Sequence, residues 1–222
     1  MTDLFGGSPE HTLSNADVSF LDTTLRDGEQ APGVSLTPEE KVEIAEALER
    51  SGVSVVEAGS ACTGEGERAA ISRVTDLGLD ATVTSFARGL QADIDSALGC
   101  DVDGVNLVVP SSDRHVERKV GSTRDEVLDS TVELVEYATD HGLWVEVIGE
   151  DGSRADLDYL AALAEVSLDA GADRFCFADT VGHTGPEQTA DAVERLAALG
   201  PVSAHTHDDL GLGVTNALAA VE

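Results

Sequence analysis

His205-Thr-His207 sets two imidazoles two residues apart at the end of an apolar run. Side chains at i and i+2 of a strand point to one face, so a strand here would aim both rings the same way. Far away in the chain, Arg26-Asp27 follows another strand-like run. Two imidazoles and a carboxylate converging from different strands would make an open divalent-metal site, and Mg, Mn and Zn all accept such ligands. The arginine beside them would take a carboxylate in a two-pronged grip. That set suits metal-assisted chemistry on an oxo-acid. The competing reading of Arg26-Asp27 is a surface ion pair, which is worth little. The density of polar groups straight after Val18 to Leu21 argues against idle surface.

Other polar residues sit at the ends of apolar runs: Glu57, Ser85 and Arg88, Glu150, Asp179 and Thr180. Alternation puts Glu146, Ile148 and Glu150 on one face, with Glu150 nearer the strand end and Asp151 as its rival. Thr180 offers a hydroxyl to a substrate carboxylate, or an Asp-Thr pair that stabilises a turn. Asp208 or Asp209 could orient an imidazole from behind. His183 reads as a loop residue and Trp144 as core packing. Gly59, Gly64 and Gly66 predict a flexible loop, a lid or a pocket wall.

These residues need elements to hold them. Apolar, β-branched runs at 18–22, 53–58, 81–86, 104–110, 143–148, 173–178 and 202–206 predict strands. Amphipathic stretches at 38–51, 65–77, 91–99, 123–141, 155–170, 186–199 and 213–222 predict helices. Thr37-Pro38-Glu39-Glu40 reads as a helix start. Ser122 or Thr123 with the acids that follow offers a capping box. Gly52, Gly78, Gly142, Gly171 and Gly200 are placed to end helices. Strand then helix, repeated, means a parallel sheet covered by helices. A doubly wound dinucleotide fold would carry a G-x-G-x-x-G turn after its first strand, and this chain has none. Sites collected from many strand ends are what a (β/α)8 TIM barrel builds. Seven units are present, in 222 residues, and the last helical run ends uncapped at Ala217-Leu-Ala-Ala-Val221. The expectation is therefore a barrel over 17–222, truncated after its seventh βα unit, behind a loose tail at 1–16.

Composition sets limits. Aromatic residues make up only 4%, so the core must come from Val, Leu, Ile and Ala. Asp plus Glu number 43 against 13 Lys plus Arg, a net charge of -30. Such a surface repels nucleic acid and anionic membranes. Lysine occurs only at 41 and 119. An acid-rich, lysine-poor folded chain reads as adapted to a cytoplasm of molar salt, where the Debye length is about 3 Å; the alternative is an ordinary acidic enzyme. Cys62, Cys100 and Cys176 form no C-x-x-C pair and read as small buried hydrophobes in a reducing compartment. No run reaches the length of a membrane span, and no signal peptide is visible.

Five segments together carry a resemblance: Asp22-Thr-Thr-Leu-Arg-Asp-Gly-Glu-Gln30, Glu57-Ala-Gly59, Glu150-Asp151, Asp179-Thr-Val-Gly182 and His205-Thr-His-Asp-Asp-Leu-Gly-Leu212. They resemble the metal-dependent TIM-barrel Claisen-condensing enzymes, the 2-isopropylmalate, homocitrate and citramalate synthases. The resemblance implies condensation of acetyl-CoA with a 2-oxo acid, followed by thioester hydrolysis. It implies Asp27, His205 and His207 as metal ligands, Arg26 on the oxo-acid, Glu150 beside it and Thr180 on its carboxylate. Related lyases share the barrel, but the first segment is of the synthase type. Glu57-Ala-Gly-Ser-Ala-Cys-Thr-Gly-Glu-Gly-Glu-Arg68, and Ser85-Phe-Ala-Arg-Gly-Leu-Gln-Ala-Asp-Ile-Asp95 with Val108-Val-Pro-Ser-Ser-Asp113, are similar to the archaeal citramalate synthases, which implies pyruvate as acceptor in a route to isoleucine. Isopropylmalate synthesis, on the route to leucine, stands close behind, because one methylene is worth only about 1–3 kcal/mol in a pocket. The family also implies a homodimer, with the catalytic base and much of the acetyl-CoA site beyond the barrel. This stretch alone is then expected to bind weakly and turn over little. The rival class is a non-catalytic fragment or regulatory barrel.

Overall fold

A computed structural model describes residues 18–222. The tail expected at 1–16 lies outside the described residues. Seven strands alternate with seven helices among the described residues: β1 (Leu21–Asp22), α1 (Pro38–Ser51), β2 (Val55–Gly59), α2 (Glu65–Thr75), β3 (Thr82–Arg88), α3 (Gln91–Leu98), β4 (Gly104–Pro110), α4 (Arg124–Asp140), β5 (Trp144–Glu150), α5 (Leu157–Asp169), β6 (Arg174–Asp179), α6 (Pro186–Ala197), β7 (Val202–Thr206) and α7 (Gly213–Ala219). The strands form one sheet in chain order, and every ladder is parallel. This is a TIM-barrel-like fold, as the strand-end pattern predicts.

Strand alternation divides the apolar residues between two places. On β5, Val145 and Val147 face the helices and join Leu160, Leu163 and Phe175 in the main core. Ile148 faces the other way, with Cys176 and Ala178, in a small inner cluster. The inner face is otherwise polar: Glu57, Thr84, Asn106 and Glu146 are all buried there. Every residue of β2 is buried, whereas every residue of the edge strand β7 is only half-buried.

Local signals explain most boundaries. Thr37 and Glu40 form a reciprocal capping box at α1, with Pro38 at the first position. At α4 the box uses Thr123 rather than Ser122. Gly52, Gly78, Gly142 and Gly171 adopt positive φ, the left-handed backbone that often follows a helix. Gly200 does not: α6 has already closed at Ala198 in the right-handed region. The strand expected at 18–22 shortens to Leu21–Asp22. The Phe20 carbonyl still accepts from Ser54 and Val55, but outside a regular ladder. A π-helical segment, His115–Val120, lies between β4 and α4, where the sequence predicts no strand or helix. No helix among the described residues is long and apolar enough to cross a membrane.

Candidate active site

The sheet curls until its two edges face each other, although no ladder joins β1 to β7 among the described residues. After β1, the Thr23 carbonyl accepts from the backbone N–H of Arg26, Asp27 and Gly28 at 3.0, 2.8 and 3.1 Å. That tight turn sends Asp27 across the open edge. Its Oδ2 lies 3.1 Å from His205 Nε2 and 3.4 Å from His207 Nε2. The two rings stack, 5.0 Å apart and 17° from parallel. Ligand atoms of all three residues fall within 4.8 Å of one another. Two ligand atoms at right angles on an ion with bonds of about 2.1 Å lie about 3 Å apart. The two separations from Asp27 Oδ2 and the donor set, two nitrogens and one oxygen, therefore fit a shared divalent ion with open positions. The His205 hydrogen bond holds the Asp27 carboxyl down at about 2; burial opposes this, and the charges of Arg26, His205 and His207 add to it.

Arg26 is clamped beside this group. Its Nε donates to Glu57 Oε2 at 2.5 Å and its Nη1 to Asp27 Oδ1 at 3.0 Å. The guanidinium also lies 4.6 Å from the centre of the Phe86 ring. Nη2 has no hydrogen-bond partner among the described residues. Glu57 is fully buried, and its other oxygen accepts from Asn106 Nδ2 at 2.8 Å. Burial pushes the Glu57 carboxyl up, against the pull of Arg26 and Asn106. The sequence marks Glu57 as a polar strand end but gives no sign of Asn106, whose register on β4 supplies the contact.

Glu150 closes β5 on the inner side but is not brought against the triad. Its carboxylate accepts from Lys119 Nζ at 2.6 and 2.7 Å and lies 3.0 Å from His115 Nδ1, both in the π-helical segment. An apolar slot of about 330 Å³, with Leu90, Val120 and Leu134 in its walls, opens beside it. Glu146, its neighbour on the same face, is occupied by Arg174 and Ser203, each at 2.6 Å. Thr180 Oγ1 accepts from the Asp151 backbone N–H at 2.9 Å. Asp151 is buried, in the left-handed region, with Ser112 at 2.5 Å and Arg154 at 2.6 Å, so it serves the loop.

Several sequence readings change here. Asp208 caps the backbone of Gly213 at 2.7 Å rather than an imidazole, and the hydrogen bonds of the described residues give Asp209 no imidazole either. Asp179 accepts from the N–H groups of His183 and Thr184 and shapes their turn. Arg88 is tied to Asp93. The loop after β2 is a short 3-10 turn, Ala61–Thr63, leading straight into α2, not a lid. Trp144 is half-buried and carries Arg174 on its face at 5.0 Å, and Cys62, unlike Cys100 and Cys176, is only half-buried.

A family model described as HMGL-like matches residues 17–222. A putative (R)-citramalate synthase of Methanothermobacter thermautotrophicus is 52% identical over 205 residues, covering 92% of this chain and 41% of that protein. The (R)-citramalate synthase of Methanocaldococcus jannaschii is 48% identical over 206 residues, 92% of this chain and 42% of its own length. A homocitrate synthase of Methanopyrus kandleri is 45% identical over 208 residues, 93% of this chain and 52% of that protein. The chain thus spans about half, or less, of these relatives. Among solved structures, an HMG-CoA lyase from Brucella melitensis superposes with a TM-score of 0.76 at 17% identity, covering 91% of this chain and 76% of that one. At that identity the likeness concerns the fold alone.

Proposed function

The chain belongs to the HMGL-like family, and from that premise we propose that the intact protein condenses acetyl-CoA with a small 2-oxo acid. Pyruvate is the acceptor this reading favours, and hydrolysis of the resulting thioester by water gives (R)-citramalate and free CoA on a cytoplasmic route to isoleucine. The observation that carries it is the meeting of Asp27 with His205 and His207 beside a clamped arginine. A second reading, 2-oxoglutarate as acceptor, is favoured by the 45% identity to a homocitrate synthase. Isopropylmalate synthesis from 2-oxoisovalerate is the third.

Asp27, His205 and His207 would hold the divalent ion, whether Mg, Mn or Zn. Bound there, the ion supplies Lewis-acid polarisation of the keto group. Arg26 keeps Nη2 and its charge for the oxo-acid, where it stabilises the negative oxygen that develops on attack. Thr180 accepts the Asp151 N–H through a lone pair, so its own O–H is left to donate to the substrate carboxylate. The family resemblance assigns Glu150 to the oxo-acid; its carboxylate is held here by Lys119 and His115, away from the triad, and Lys119 offsets its charge. A base must also remove a proton from the acetyl methyl group.

The test is release of free CoA from acetyl-CoA by the intact protein in high salt, with pyruvate, 2-oxoisovalerate and 2-oxoglutarate compared. Fastest release is expected with pyruvate. A chelator is expected to stop it, and added Mn²⁺ to restore it. No release with any acceptor would overturn the condensation and favour a non-catalytic barrel.

A further inference from the structure

Lys41 stands on α1 with a side chain only 1% exposed. Its ammonium donates to the Leu25 carbonyl at 3.0 Å and to Glu67 Oε1 at 2.7 Å, and it pairs with Glu29 Oε2 at 2.9 Å. An ammonium has three donors, and here each has an oxygen. Leu25 and Glu29 flank Arg26-Asp27-Gly28, so one buried charge grips that turn on both sides. The carboxylates carry the grip outward. Glu29 Oε1 accepts from the Leu36 N–H at 2.9 Å, and Glu67 Oε1 from the Ser60 N–H at 3.2 Å. Gly59 leaves room for Glu67 to arrive: a Cβ there would lie 2.0 Å from Glu67 Oε1. The composition points the same way. Lysine occurs at only two positions of 222, and this one is buried. A guanidinium is a flat fork and cannot send three donors in tetrahedral directions.

We propose that Lys41 is a positioning residue for Arg26 and Asp27. It holds the turn after β1 so that the Asp27 carboxylate meets the two imidazoles and Arg26 reaches Glu57. The proposal deepens the site reading above and rests on it for the role of the metal ligands.

The test uses the intact protein. Lys41→Met keeps the length and removes the charge. Should that variant fail to fold, Lys41→Met combined with Glu29→Gln and Glu67→Gln also removes the stranded negative charges. Amide hydrogen exchange is followed at Arg26, Asp27 and Gly28, and Mn²⁺ affinity is titrated with the metal alone. Exchange at those three amides is expected to rise at least tenfold while α4 stays unchanged. Mn²⁺ affinity is expected to fall at least tenfold, with Lys41→Arg recovering part of it. Wild-type protection of the turn, acceleration spread equally through α4, or unchanged Mn²⁺ affinity would each overturn the proposal. CoA release is scored separately. A wild-type protein inactive with every acceptor removes the condensation reading, while the exchange result still judges Lys41.

Discussion

Arg26 is held from three sides before any substrate arrives: by Glu57, by Asp27 and by the face of Phe86. The metal-ligand candidates and Arg26 could be read in the sequence because their signals are local. His205 and His207 share a strand face by simple alternation, and Arg26-Asp27 adjoins a strand end. Their partners could not be read. Glu57, Asn106, His115 and Lys119 contact residues 31 to 49 positions away, and those contacts depend on strand register and on the π-helical segment. The Arg26–Glu57 pair has an energetic consequence. Removing one partner of a buried ion pair strands the other charge and costs about 3–5 kcal/mol, whereas removing both costs far less. Arg26→Met is therefore expected to lower stability by about that amount. Adding Glu57→Gln should recover most of it, because the amide oxygen and nitrogen need no counter-charge. Denaturant unfolding of both variants checks this, and equal loss in the two would show that Glu57 is not stranded.

Among the elements, helices were the more legible. Capping boxes at Thr37 and Thr123 and glycines with positive φ fall where propensity puts them. The departures have physical causes. A π-helical turn has no periodic signature of its own, so the sequence predicts no element over His115–Val120. α6 closes without Gly200, because Ala198 ends it without left-handed backbone. The β5–α5 connection shows what a loop can require of one side chain. Asp151 is buried at positive φ; burial raises its carboxyl, but Arg154, Ser112 and His115 together hold it below the usual range. A carboxyl depressed in the fold stabilises it above its unfolded value, about 3.9, and loses that contribution as pH falls through the lower folded value. Asn tolerates left-handed backbone, so Asp151→Asn keeps the loop and removes the charge. The variant is expected to be less stable at pH 7 by about 1–3 kcal/mol, the loss of a charged hydrogen bond. The gap should narrow below about pH 4. Thermal unfolding across pH 2–7 measures it, and a gap independent of pH would remove Asp151 from the acid limb.

At the scale of the whole molecule, charge is arranged in two regimes. Inside the curled sheet, Arg26–Glu57 and Arg174–Glu146 are ion pairs with little exposure. Outside, the chain carries the bulk of a net charge of -30, with Lys119 the one lysine that reaches the surface. Salt distinguishes the two regimes. The Debye length falls from about 10 Å at 0.1 M to about 3 Å at 1 M, which screens repulsion between exposed acids but leaves buried pairs nearly untouched. Added salt should thus relieve the repulsion while weakening only exposed pairs such as Arg195–Asp158, which are worth little. The unfolding midpoint is expected to climb between about 0.1 M and about 1 M KCl. For a chain of this size each kcal/mol moves the midpoint by about 2–4 °C, so a rise of about 5 °C or more would signify real relief of surface repulsion. The Arg26→Met, Glu57→Gln variant serves as the internal control. It lacks one inner pair and keeps the acidic surface, so its midpoint should climb in parallel with wild type. A midpoint indifferent to salt would mean that the surface acids do not destabilise the fold, and the acidic composition would then need a cause other than adaptation to salt.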